Sequence, residues 1–267
     1  MSRRNLQNQV VIVTGASSGI GRETALLFAK EQCRVVVTAR RKDRLDELAT
    51  EARRAGGDTL VVQTDVSDEE QVKGLVQQTA GRFGRLDILI NNAGFGLFAK
   101  IEDTTVEELQ TIFATNFLGT FHAIKAALPI MRRQKQGHIV NVSSVAGKRA
   151  FPLSGAYCAT KFAMNGLTES LRTELRGSGI DVSLVMPVGT ATDFFTVAKN
   201  KSNRPSVPLG IVQSAHQVAQ AIVSCAKTPK PEVYVYPPSR ILVLLNAISP
   251  RLVDWFGAKL VGRVVPR

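Results

Sequence analysis

Tyr157 and Lys161 stand four positions apart in a helix-compatible segment from Ser154 to about Arg176. Both side chains therefore project from one helical face. A phenol ordinarily ionises at about pH 10, and an ammonium beside it favours the phenolate and draws that value toward the working range. Such a pair can give a proton to a carbonyl oxygen or take one from an alcohol. Ser144 closes an apolar run thirteen positions before Tyr157, and its hydroxyl can hold the same oxygen; its neighbour Ser143 reads as a strand-end cap. Asn116 falls inside a helical pattern, where asparagine is poorly favoured, and Asn91-Asn92-Ala93-Gly94 closes another apolar run.

These residues need a scaffold that brings strand ends together. Short β-branched runs alternate with longer helical patterns. Strands are predicted over Val10–Val13, Arg34–Ala39, Thr59–Thr64, Leu86–Ile90, His138–Val142, Asp181–Val185 and Glu232–Tyr236. Helices are predicted from the first turn to about Glu31, over Lys42–Ala55, Glu69–Phe83 and Val106–Gln134, and from Ser154. Continuously apolar strands imply burial on both faces, and strand–helix alternation implies right-handed crossovers and a parallel sheet. The expected fold class is α/β, a Rossmann-like doubly wound sheet of about seven strands in one domain. Residues 1–236 would form it, with 237–267 as an apolar and basic extension of the same domain.

The first strand runs into Thr14-Gly15-Ala16-Ser17-Ser18-Gly19-Ile20-Gly21. Gly15 permits a tight turn, Gly19 allows backbone to approach a pyrophosphate, and Gly21 allows close helix–strand packing. The helix that follows offers free N–H groups and a positive dipole end to phosphates. Ser17, Ser18 and Ile20 complete this turn. The second strand ends Val37-Thr38-Ala39-Arg40-Arg41, with no carboxylate before Asp43. An NAD site usually places an acid there for the ribose hydroxyls, whereas Arg40, with Arg41 beside it, offers a donor fork for a 2′-phosphate. NADP(H) is expected over NAD(H). Asp65-Val66, at the end of the third strand, is expected to border the adenine.

Composition narrows the partners. The 267 residues are 44% hydrophobic and 21% charged, within globular usage. The balance of 34 Lys+Arg against 22 Asp+Glu gives +12, which favours anionic partners. Dense basic tracts and stacking aromatics are lacking, so nucleic acid is not expected. Cys33, Cys158 and Cys225 read as free thiols of a reducing compartment rather than a disulfide framework. With no apolar leader and no run of about 18 apolar residues, the expected location is cytoplasmic. His122, His138 and His216 lack metal-ligand spacing, so no metal is expected.

The chain resembles the shorter subclass of the short-chain dehydrogenase/reductase family over about residues 8–236. The matching pieces are Thr14–Gly21, Asp65-Val66, Asn91–Gly94, Asn116-Phe117-Leu118-Gly119, Ser143-Ser144, and Tyr157 with Lys161. That resemblance implies Tyr157 as acid/base and Lys161 as holder of the nicotinamide ribose and tuner of the tyrosine. Ser144 would position the substrate oxygen, and Asn116 would hold a water linking Lys161 to solvent. Hydride would pass directly between nicotinamide and substrate carbon. Asn92, Ala93 and Gly94 would lie on the adenine-ribose side, and Pro187, Val188, Thr190 and Thr192 at the carboxamide end. Pro187-Val188-Gly189 departs from the family's usual Pro-Gly. The resemblance also implies a homodimer or homotetramer.

Val188–Leu209, rich in Thr, Asn, Lys, Ser and Pro, is expected to be a loop able to act as a substrate lid. Phe194-Phe195 could form an apolar wall within it. The tail from Pro237 interleaves apolar residues with Arg240, Arg251, Lys259, Arg263 and Arg267. It is expected to pack on the pocket or a subunit interface, or to contact an anionic membrane peripherally. The family's β-oxoacyl-carrier reductases usually close with an Asp-Gly-Gly segment absent here. The reading is an NADP(H)-dependent reductase of a carbonyl, or dehydrogenase of an alcohol, with a fairly apolar small-molecule substrate. A non-catalytic NADP(H) sensor or scaffold is the alternative; an epimerase or dehydratase is disfavoured because such relatives carry a longer C-terminal part.

Overall fold

The computed structural model describes residues 3–202 and 211–255. Seven strands form one sheet: β1 (Val10–Thr14), β2 (Arg34–Ala39), β3 (Asp58–Gln63), β4 (Ile88–Asn91), β5 (Gly137–Val142), β6 (Ile180–Met186) and β7 (Glu232–Tyr234). Their spatial order is β7-β6-β5-β4-β1-β2-β3, and every pairing is parallel. Each crossover is a helix: α1 (Gly19–Lys30), α2 (Lys42–Arg54), α3 (Glu69–Phe83), α4 (Val106–Phe113) with α5 (Gly119–Gln134), and α6 (Gly155–Glu174). The four-residue α7 (Phe194–Val197) and then α8 (Ala215–Lys227) lie between β6 and β7, and α9 (Ser239–Ile248) follows β7.

The central strands are covered on both faces, which is why they read as unbroken apolar runs. Val11, Val13, Val35 and Val37 pack with Phe28, Leu45, Leu48 and Ile222 on one side of the sheet. Ile12, Val36 and Leu89 pack with Leu75, Ile124 and Met131 on the other. After β3 the chain crosses to the far side of β1, so β2 and β4 leave β1 in opposite directions. That reversal opens a crevice beyond the strands' C-terminal ends, where Thr14, Asn91 and Val142 finish.

Local signals account for the helix ends near the crevice. Asp68 accepts from the Glu70 and Gln71 N–H groups ahead of α3. Thr105 and Glu108 form a reciprocal capping box on α4. Val106–Gln134 is helical almost throughout, as its pattern predicts, but Ala114–Leu118 forms a π-helical turn between α4 and α5. Such wider turns concentrate at functional sites, and Asn116 lies inside this one.

The expected loop Val188–Leu209 contains short regular pieces among its described residues. Gly189–Ala191 pairs with Val212–Ser214, Phe194–Val197 is helical, and Lys199–Asn200 pairs with Leu97–Phe98. These pieces are too short to show a period of their own; backbone hydrogen bonding to distant partners makes them. Residues 203–209 of that expected lid lie outside the described residues. Cys33, Cys158 and Cys225 are free and buried. No helix among the described residues is long and apolar enough to cross a membrane.

Candidate active site

The crevice holds a cavity of about 1020 Å³ that runs from the turn after β1 to the start of α9. Its floor gathers side chains from distant parts of the sequence. Tyr157 and Lys161 rise from α6, Ser144 sits two residues past β5, and Thr190 and Thr192 follow β6.

The turn after β1 is fixed by backbone conformation. Gly15 and Gly19 have φ of 66° and 57°, left-handed values that cost other residues strain. A Cβ on Gly21 would run into the Gly15 carbonyl oxygen and the Asn92 amide, so only glycine lets α1 start this close to β1. Asn92 secures the turn, donating to the Thr14 and Gly15 carbonyl oxygens at 3.0 and 3.3 Å. Thr14 Oγ1 accepts from the Asn92 and Ala93 N–H groups at 3.0 and 3.1 Å. The Ser18 hydroxyl does not cap α1, and its first turn carries no acid, leaving N–H donors facing the cavity. Thr192 hangs over Gly19, 3.1 Å from where a Cβ would stand. The cradle fits a dinucleotide: open donors, a positive helix end and a gap that a side chain would fill.

Arg41, rather than Arg40, braces the turn, its Nη2 donating to Ser17 Oγ and Ser18 Oγ at 3.0 Å each. Arg40 is exposed and lines the cavity beside Asp65 and Val66. Both arginines lie just past β2 and line the cavity. A second recess, about 190 Å³, brings Arg22, Arg41 and Arg44 around Ser17, Ser18 and Gly19.

On the floor, Lys161 is only 4% exposed. Its Nζ donates to the Val142 carbonyl at 2.9 Å and lies 5.8 Å from the centre of the Tyr157 ring. Burial pushes its pKa down to about 8. Tyr157 departs from the sequence expectation. Burial pushes its phenol well above the ordinary value, against a lowering hydrogen bond from Ser144. In the structure desolvation by burial is the largest influence on this phenol. Ser144 Oγ accepts from the Ala146 N–H at 3.1 Å. Ser143 does more than cap, donating to Asn165 Oδ1 at 2.6 Å and tying β5 to α6.

Asn116 is fully buried. Its amide oxygen accepts from the Phe95 N–H at 3.0 Å, and its Nδ2 donates to the Phe95 carbonyl at 2.9 Å and to Thr160 Oγ1 at 3.3 Å. The side chain therefore clamps the loop after β4 onto α6, and its amide is occupied by these bonds. Gly94 packs on it, with a Cβ there only 3.0 Å from Asn116 Oδ1.

Past Pro187, the Val188 N–H donates to Gln213 Oε1 at 3.2 Å, and Thr190 Oγ1 donates back to the Val188 carbonyl at 3.0 Å. Pro187, Val188, Thr190 and Thr192 all line the cavity despite the unusual Pro-Val. The wall opposite is aromatic. Phe194 meets the Tyr157 ring edge-on at 5.4 Å, and Phe98 stacks on Phe195 at 5.9 Å. The sequence reading named Thr14 as part of the turn without a role for its hydroxyl, and missed Phe98 and Asn165. Phe98 and Asn165 carry no local signal. Among the described residues no group of three or more His, Cys, Asp or Glu side chains is placed to hold a metal.

Comparison with known proteins agrees with this geometry. The family model for short chain dehydrogenases matches residues 9–203. The uncharacterized oxidoreductase YxnA of Bacillus subtilis is 34% identical over 255 residues, 94% of this chain and 72% of YxnA. The ketoacyl reductase HetN of Nostoc sp. is 33% identical over 263 residues, covering 94% of this chain and 90% of HetN. A crystal structure of a short chain dehydrogenase/reductase from Burkholderia phymatum in complex with NAD superimposes with a TM-score of 0.86. It is 28% identical and covers 93% of this chain and 96% of that one. By fold, motif order and sequence, the chain belongs to the short-chain dehydrogenase/reductase family of oxidoreductases.

Proposed function

We propose that the chain is an NADP(H)-dependent oxidoreductase acting between a carbonyl and a secondary alcohol on a predominantly apolar small molecule. Residues 1–236 would carry the cofactor and catalytic site, with 237–267 an extension of the same domain. The carrying observation is that Tyr157, Ser144 and Lys161 share the floor of one cavity with the open turn at Gly15–Gly21. A nicotinamide dinucleotide bound there supplies or accepts the hydride. The chain's own residues handle the proton and the geometry. In reduction, Tyr157 gives its phenolic proton to the carbonyl oxygen, and burial keeps that phenol protonated until it is used. Ser144 donates to the same oxygen and fixes its position. Lys161 brings a cation beneath the ring, and in this proposal holds the nicotinamide ribose. Asn116 acts by positioning the Phe95 loop and α6; any water relay from Lys161 would pass beside its occupied amide.

Gly15, Ser17, Ser18, Gly19, Ile20 and Gly21 would hold the pyrophosphate, with Asp65, Val66, Asn92, Ala93 and Gly94 toward the adenosine. Pro187, Val188, Thr190 and Thr192 would meet the carboxamide end. The preference for NADP(H) over NAD(H) rests on Arg40, Arg41 and Arg44 around the end of β2. Charge-assisted bonds of this kind contribute about 1.5–3 kcal/mol each, roughly ten- to a hundredfold in Kd. Arg40→Ala is therefore expected to weaken NADPH by that factor while leaving NADH within about threefold, read by fluorescence titration. The aromatic wall of Phe98, Phe194 and Phe195 supports an apolar substrate, and a homodimer or homotetramer remains the proposed assembly.

The test follows NADPH and NADH consumption against ketones, aldehydes and a β-oxoacyl thioester, the last because HetN carries the name of a ketoacyl reductase. Turnover with NADPH that vanishes in Tyr157→Phe is the expected result. Tight NADPH binding without turnover on any carbonyl would favour the sensor, and a preference for NADH would overturn the reading of the arginines.

A further inference from the structure

Helix α9 has two unlike faces. Inward, Ser239 and Leu242 line the cavity, and Val243 packs with Val145, Leu184 and Met186. Outward, Ile241, Leu244, Leu245 and Ile248 recur at helical spacing and are 60%, 62%, 45% and 82% exposed. All four lie within a narrow arc of the helix. Beyond it Leu252 is also exposed. Four large aliphatic side chains in ten residues are an outlay that a wholly water-facing helix does not need.

Charge indicates what covers this face. Residues 237–267 carry five basic side chains, Arg240, Arg251, Lys259, Arg263 and Arg267, against the single acid Asp254. Asp254 is paired with Arg149, and the segment's net charge is cationic. A second copy of the chain is a poor partner: a two-fold contact would set this cationic segment against itself. The face is also small, about 15 Å by 10 Å for a helix of this length, far below the roughly 800 Å² per partner of a standard interface. A sheet of anionic lipid headgroups satisfies both features at once, taking the aliphatic face into its acyl boundary and the cations at its surface.

We propose that α9 lies in the interface of an anionic membrane and sets the mouth of the cavity against it. The contact is peripheral. The membrane half of the proposal stands on α9 itself; that a carbonyl enters from the lipid phase rests on the reductase reading.

The test uses the full chain and two kinds of vesicle, phosphatidylcholine alone and phosphatidylcholine with phosphatidylglycerol, sedimented at low and high salt. Leu244→Glu with Ile248→Glu is the companion variant; both positions face outward, and a matching circular-dichroism melt verifies its fold. The wild-type chain is expected to pellet with the anionic vesicles, with salt weakening the association. The double variant is expected to lose about tenfold or more of that binding. No sedimentation of the wild type, or sedimentation equal in the variant, overturns the proposal. So does a variant that changes from oligomer to monomer by light scattering without lipid, because the face would then belong to a second copy. None of these readouts requires turnover, so a failure of the reductase reading leaves them interpretable. Where turnover is present, a long-chain ketone dissolved in anionic vesicles should lose kcat/KM in the variant, while a water-soluble ketone keeps its value.

Discussion

At the residue scale, protonation states divide the labour of the site. Burial holds the Tyr157 phenol above its ordinary range, so the acid needed for reduction is present throughout the neutral range. Oxidation of the alcohol needs the phenolate instead. Carbonyl reduction is therefore expected to be nearly flat from about pH 6 to 8, and alcohol oxidation to rise steadily with pH. Initial rates in both directions check this, and Tyr157→Phe should lower both by about a hundredfold or more without changing NADPH affinity. A second buried group governs stability. His138 lies inside β5, with Nε2 2.8 Å from Ser183 Oγ, and burial pushes its pKa down to about 3. The unfolded chain protonates it at about 6.5. Its folded value is depressed, so the neutral ring's contribution is full above that pH and is lost as pH falls from about 6.5 toward 3. His138→Gln is expected to flatten this part of the acid-unfolding profile, measured by urea midpoints at pH 7 and pH 4.5.

At the element scale, the turn between β1 and α1 is the least tolerant part of the site. Gly21→Ala would drive a methyl into the Gly15 carbonyl and the Asn92 amide. It is expected to raise the NADPH Kd at least about tenfold and to cost about 1–3 kcal/mol of stability, read by titration and by thermal unfolding. The same scale shows which features local sequence can specify. α3 begins and ends where its cap and period place it, because Asp68 and Gly84 supply both signals. The strands keep their predicted positions within two residues, since burial on two faces leaves an apolar run that any register preserves. The pairing of Leu97–Phe98 with Lys199–Asn200 was not legible, because it depends on residues a hundred positions away. Nor was the π-helical turn at Ala114–Leu118, which carries Asn116 and its bonds to Phe95 and Thr160. The bonds from Arg41 to Ser17 and Ser18 were not legible either, because they join residues 23 and 24 positions apart.

At the scale of the whole molecule, the sheet carries a consequence for how the chain is made. β1 lies between β2 and β4, and Val11 pairs with both Val35 and Ile88. During synthesis β1, β2 and β3 can associate early, but one edge of β1 waits until residue 91 has emerged. For that interval a wholly apolar strand, Val10–Val13, shows an unpaired edge, the kind of surface on which nascent chains associate. Long-range parallel pairing of this sort is also slow to form. A fragment ending near residue 85 is expected to aggregate, whereas one extended through β5 should stay dispersed longer; light scattering of the two released fragments decides between them. The reversal that opens the ligand crevice thus leaves the first strand waiting on the fourth, and a chaperone that shields β1 over that interval would raise the yield of folded protein.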